Sequence, residues 1–205
     1  MTAVQEQGTP MGYGSMRRKE DARFVRGKGL YIDDVRLRGM LHGAVLRSPY
    51  AHARILSVDV TAAEAHPKVR AVITGETLLD RGMAWMPTLS GDQQAVLATD
   101  KVRFQGQEVA FVVADDRYAA RDALELIDVE YEPLPAVMDA RRALDDGAPL
   151  IRDDLAGRQP GPAGNHVFDW DAGDAARTEE IFARADVTIA EDLLYPRVHP
   201  APLET

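Results

Sequence analysis

A chain of 205 residues with 45% hydrophobic residues carries enough apolar material for one core of ordinary size, with room for a second, smaller unit. The absence of cysteine excludes disulfides, thiolate zinc sites and a cysteine nucleophile, and suits a reducing compartment. A net charge of −9 repels phosphate backbones, so nucleic acid is not an expected partner, and no apolar run approaches the ~20 residues of a membrane-spanning helix.

In chain order, residues 1–19 are polar and glycine-containing, without the basic start and apolar stretch of a secretion signal. They read as a flexible arm, and the expected location is the cytoplasm. The basic cluster Arg17-Arg18-Lys19 lies beside Glu20-Asp21, which largely neutralises it, as in a solvated turn. Leu41–Leu46, Ile55–Val58 and Val69–Ile73 then form three strand candidates separated by turn-forming residues. Between the second and third, Thr61 is placed to cap a short helix that His66-Pro67 ends, because a residue before proline avoids the helical region.

The strongest local signal is Val109–Ala114, a continuous apolar run of the kind found in a strand covered on both faces and central in its sheet. Asp115 or Asp116 can cap the helix that follows, whose Ala120, Ala123, Leu124 and Ile127 make one apolar stripe. Val129 and Tyr131 next alternate with Asp128, Glu130 and Glu132, as in a strand with one wet face, until Pro133 and Pro135 end the pairing.

From 139 to 164 the composition shifts to aspartate, glycine and proline, with a helical turn near Ala140–Leu144, and this reads as a linker. Beyond it, His166–Trp170 is a strand candidate, Asp174 caps a helix with Ala175, Thr178, Ile181, Phe182 and Ala185 on one side, and Val187–Leu194 is another strand candidate. This last unit has too few elements to close a core of its own and reads as cut short. The fold class is therefore mixed α/β, or α+β.

No motif assigns a catalytic, cofactor-binding or metal-ligating residue. Gly27-Lys28-Gly29 lacks a third glycine and a preceding strand, so it reads as a plain turn, and Gly12–Ser15 has no strand before it to build a nucleophile elbow. The five histidines are not spaced to put two imidazoles on one helix face, and the adjacent aspartates at 33–34, 145–146 and 153–154 read as solvated turns and caps. Two spots stand out as a possible domain or subunit interface. Arg47, Ser48, Pro49 and His52 gather two kinds of basic group around a Ser-Pro turn, and Gln107 and Glu108 enter the apolar run from a glycine turn.

Arg17–Phe24 followed by Gly27–Asp34 resembles the opening of the large subunits of molybdenum hydroxylases, the xanthine and aldehyde oxidase family. Gly39–His42, Arg47–Ile55, Phe104–Ala110, Tyr131–Pro135 and His199–Thr205 match in the same order, so the resemblance covers almost the whole chain. Met86–Asp92 and Gln94–Leu97 are most similar to the aerobic carbon monoxide dehydrogenase branch. The resemblance implies an a/b hammerhead domain over residues 20–138 and, over 165–205, the truncated start of the first molybdopterin-binding domain. It also implies a parent enzyme holding molybdopterin cytosine dinucleotide with molybdenum, and copper in the carbon monoxide branch. Its implied partners are the remainder of the large subunit, an iron-sulfur subunit and a flavin subunit. The family's cofactor contacts lie downstream of the matched segment, so the expectation is a structural, non-catalytic piece of an oxidoreductase that turns CO and water into CO₂. A non-catalytic hammerhead interaction module, or one chain of a split subunit, is the alternative from another class. A parent acting on an aldehyde or N-heterocycle is the alternative within the family.

Overall fold

The computed structural model describes residues 19–86, 94–155, 165–167, 170–196, 198 and 201. Contacts divide the chain into two units, residues 39–189 and a smaller one of 1–38 with 190–205. In the smaller unit, helix α1 (Asp21–Phe24) ends at Gly27, whose φ of 65° lets the Gly27 and Lys28 amides turn back to the carbonyls of Phe24 and Arg23. Gly27-Lys28-Gly29 is thus a helix-terminating turn, and Phe24 stacks on Tyr31 beyond it, with ring centroids 5.6 Å apart.

The larger unit is built on two three-stranded antiparallel sheets and a short hairpin. Its elements are β1 (His42–Arg47), β2 (Ala53–Asp59), α2 (Thr61–Glu64), β3 (Val69–Thr74), α3 (Gly75–Asp80), β4 (Trp85–Met86), β5 (Gln94–Ala95), β6 (Lys101–Val102), β7 (Glu108–Ala114), α4 (Arg117–Leu124), β8 (Asp128–Pro133) and α5 (Ala175–Phe182). One sheet has the order β1-β7-β3, the other β6-β2-β8, and β4 pairs with β5. The apolar run is therefore the central strand of its sheet, as its composition predicts. Ala110 and Val112 pack with Ala63 of α2 and Ala123 of α4, while Phe111 packs against Leu78, Ala84 and Leu97. Val109, fully buried, joins Ala53 and Val102 of the second sheet and Ala98 of the segment before β6. Burying each such valine contributes about 1.5–3 kcal/mol. Gly43 sits where the Phe111 ring crosses β1, and any side chain there would collide with the ring.

Both strand-helix-strand stretches differ from a single-sheet crossover. The chain leaves β2 in one sheet and enters β3 in the other, and it goes from β7 to β8 in the opposite sense. Each helix thus connects the two sheets, and α4 packs on β1, β7 and β3 of the first. Helix α2 is capped one residue earlier than expected: Val60 occupies the N-cap position, Thr61 is already helical, and the Asp59 carboxylate accepts the Thr61 N–H at 2.9 Å. Asp116 caps α4 as expected, accepting from the amides of Tyr118 and Ala119. Ala120 and Ala123 are fully buried beneath it, whereas Ile127 packs from just beyond the helix end. In β8 the side chains at 129 and 131 turn inward and those at 128, 130 and 132 outward, as the alternation predicts.

The C-terminal expectations fare differently. Asp174 does cap α5, accepting the Arg177 N–H, but α5 buries none of its residues. Val187–Leu194 forms no strand, and His166, Val167 and Trp170, the described members of the other candidate, are in none either. A strand exists only as part of a ladder, and no hydrogen-bonded partner strand faces these residues among those described. The turn expected near Ala140–Leu144 is a 3₁₀ turn over Ala140–Arg142. Gly12–Ser15, Pro87–Asp92, most of the N-terminal arm and His199 lie outside the described residues.

Candidate functional site

The six residues marked out from sequence form one corner. Arg47, the last residue of β1, faces Glu108, the first of β7, beside a register shift at Leu46/Arg47. Its guanidinium donates to the Glu108 carboxylate at 2.5 Å and to the Gly106 carbonyl at 2.8 Å. Gly106 has φ of 87°, the left-handed conformation that allows the tight turn into β7. The Ser48 amide donates to the Gln107 carbonyl and the Gly106 amide to that of Ser48, both at 2.9 Å, so the two turns are zipped together. The Ser48 hydroxyl accepts the Tyr50 N–H at 3.0 Å, and the Gln107 side-chain oxygen accepts the Arg103 N–H at 2.6 Å. Ser48, His52 and Gln107 are buried, whereas Arg47 and Pro49 are exposed and Glu108 is half-buried. The Arg47–Glu108 pair faces water and contributes at most about 1 kcal/mol.

Behind this corner Tyr50 and Tyr131 meet with ring centroids 5.2 Å apart. Burial pushes the Tyr131 phenol above its usual range, partly opposed by a hydrogen bond with Ser48.

A second constellation, which the sequence reading missed, pins the 151–154 segment to β6. Lys101, 7% exposed, donates to Asp153 at 2.6 Å, and Arg103 donates to Asp153 at 3.2 Å and to the Ile151 carbonyl at 3.1 Å. Arg152 pairs with Asp154 at 2.9 Å. Burial raises the Asp153 carboxyl, but the hydrogen bonds from Lys101 and Arg103 outweigh it and hold the group below its usual range. Asn165 ties the same segment from behind, accepting the Ile151 N–H at 2.7 Å and donating to the carbonyls of Ala143 and Pro149. Asp153-Asp154 is thus an anchor rather than a solvated turn. The available signal was Lys101-Val102-Arg103, an i, i+2 pair of cations at a strand, matched to the carboxylates of Arg152-Asp153-Asp154. A cleft of about 500 Å³ lies beside the clamp, lined by Leu79, Trp85, Phe104, Gln107 and Ile151 among others.

Neither constellation suits a metal. Among the described residues no three His, Cys, Asp or Glu side chains converge, and the chain has no cysteine to offer copper a thiolate. The carboxylates of the clamp are already committed to cations of this chain. Among the described residues no helix is long and apolar enough to cross a membrane.

Comparison with known proteins places these features in a family. Residues 26–135, more than half of the chain, match the model described as aldehyde oxidase and xanthine dehydrogenase, a/b hammerhead domain. The chain is 54% identical over 192 residues to the carbon monoxide dehydrogenase large chain of Hydrogenophaga pseudoflava, covering 91% of this chain and 24% of that one. It is 49% identical over 210 residues to the corresponding large chain of Afipia carboxidovorans, covering 100% and 26%. The structure of reconstituted CO dehydrogenase from Oligotropha carboxidovorans superposes with a TM-score of 0.75 at 51% identity, over 84% of this chain and 22% of that one. The chain therefore spans about a quarter of the length of these relatives. It belongs to the aldehyde oxidase and xanthine dehydrogenase family of molybdenum hydroxylases, as a carbon monoxide dehydrogenase-like large-subunit segment that carries the a/b hammerhead domain.

Proposed function

We propose that this chain supplies the hammerhead scaffold of a carbon monoxide dehydrogenase large subunit, whose reaction is CO + H₂O → CO₂ + 2H⁺ + 2e⁻. The observation that carries this reading is identity of about half with CO dehydrogenase large chains along nearly the whole chain, joined to a matching fold. In this reading molybdenum, as molybdopterin cytosine dinucleotide, and copper are held by residues outside this chain, as the resemblance to the family implies, and the chain has no cysteine to offer copper a thiolate. Electrons leave through an iron-sulfur subunit and a flavin subunit, and the assembly works in the cytoplasm.

In this reading residues 1–19 are an arm, 20–138 the hammerhead, 139–164 a linker and 165–205 the start of the first molybdenum-cofactor domain. The alternating apolar residues Val187, Ile189, Leu193 and Tyr195, all more than 70% exposed, support a segment that pairs with the remainder of the large subunit. Arg47, Pro49 and Glu108 are the solvent-facing groups of the corner and form its contact with a neighbouring domain, while Ser48, His52 and Gln107 brace it from inside.

The test is assembly and turnover. The purified chain alone is expected to hold no stoichiometric molybdenum or copper and to give no CO-dependent reduction of an artificial electron acceptor. Co-expressed with the remaining large-subunit sequence of a relative and its companion subunits, it is expected to co-purify and support that reduction. Metal at stoichiometry or turnover in the chain alone contradicts the proposal, and so does an assembly that oxidises an aldehyde or N-heterocycle but not CO.

A further inference from the structure

The chain leaves β8 through Pro133-Leu134-Pro135, a stretch whose two prolines have no N–H to offer a sheet. What fixes it is His52. The His52 carbonyl accepts the Leu134 N–H at 2.9 Å, and its ring Nδ1 lies 2.5 Å from the Pro135 carbonyl oxygen. A carbonyl oxygen only accepts, so Nδ1 must carry the hydrogen. A ring turned over would bring a carbon to that oxygen instead. The other ring nitrogen, Nε2, is buried with no hydrogen-bond partner among the described residues, in a residue 5% exposed. A hydrogen on Nε2 would be a second buried donor with no acceptor among the described residues.

We infer that His52 is a positioning residue held in the neutral Nδ1–H form, and that its backbone carbonyl and Nδ1 together latch the Pro133–Pro135 strap, setting where the chain leaves the hammerhead. The task is single-sided: one donor at the Nδ1 position, and none at Nε2. This inference does not depend on the proposed CO chemistry.

The role separates from simple packing because asparagine and glutamine each mimic one ring nitrogen. In His52→Asn the amide N–H falls near Nδ1, whereas in His52→Gln it falls near Nε2, and His52→Phe fills the space with no donor. Hydrogen exchange of the Leu134 amide in the full chain reads the latch directly. Protection is expected to stay within about threefold of wild type in His52→Asn and to fall by about tenfold in His52→Phe and His52→Gln, the worth of one hydrogen bond. Equal losses in all three variants would overturn the inference. Should the variants not fold, the wild-type chain still decides: ¹⁵N spectra of the histidine rings are expected to show His52 with a protonated-type Nδ1 and an unprotonated-type Nε2, and the reverse pattern refutes the latch.

Discussion

Helices α4 and α5 are each eight residues long and each begins at an aspartate that caps backbone amides, yet α4 buries Ala119, Ala120 and Ala123 and α5 buries nothing. The strands that follow them diverge in the same way. β8 finds β2 beside it, whereas Val187–Leu194, with a comparable alternation, has no strand partner among the described residues. Local sequence suffices to start a helix and to alternate a strand's faces. Whether either element becomes part of a core depends on apolar surface supplied from elsewhere.

This contrast can be broken most forcefully at β7. Val112→Asp places a charge in the fully buried centre of the first sheet, and urea unfolding is expected to show a loss of about 4 kcal/mol or more. An equivalent change in the uncovered region, Ile189→Asp, is expected to leave the transition within about 0.5 kcal/mol.

The clamp offers a smaller but more diagnostic effect. Asp153→Ala strands Lys101, buried and cationic, and is expected to cost about 2 kcal/mol, since Asp153 itself keeps a wet side. Lys101→Met removes the charge together with its desolvation and is expected to cost less than Asp153→Ala. If Lys101→Met proves the more damaging of the two in urea unfolding, the Lys101–Asp153 contact is not the anchor described.

The smallest effects compare the two caps. Asp116→Ala is expected to lower the unfolding midpoint, because α4 is packed into the core, while Asp174→Ala reduces helical circular dichroism without moving that midpoint. Backbone N–H donation from Ala119, with help from Lys68, holds the Asp116 carboxyl below its ordinary 3.8. A folded-state value below the unfolded one means that the cap's support is complete above about pH 4 and is lost as pH falls through the lower folded value. Wild type should therefore lose stability more steeply than Asp116→Ala as pH falls below about 4.

The sequence was legible wherever a single short pattern decided the outcome. The Val109–Ala114 run announced a strand covered on both faces, and the alternation at Val129 and Tyr131 announced one wet face. It was not legible where the answer lay in pairing over long separations. Nothing local says that β2 and β3 enter different sheets, since either arrangement buries the same alternating residues. The link from Lys101 and Arg103 to Asp153, and from Arg103 to Asp154 at 3.4 Å, crosses about fifty residues, so those aspartates read as solvated turns until their partners are seen. The corner is an intermediate case. Its six residues were recognisable from a Ser-Pro turn and a glycine turn, but the inward direction of Ser48, His52 and Gln107 followed only from the packing.

Hydrogen exchange of the full chain, read by mass spectrometry, tests the central contrast most directly. The account predicts slow exchange across Glu108–Ala114 and Asp128–Glu132 and exchange at near-unstructured rates across Thr188–Leu194 in the isolated chain. Protection of Thr188–Leu194 equal to that of β7, with no other protein present, would contradict it.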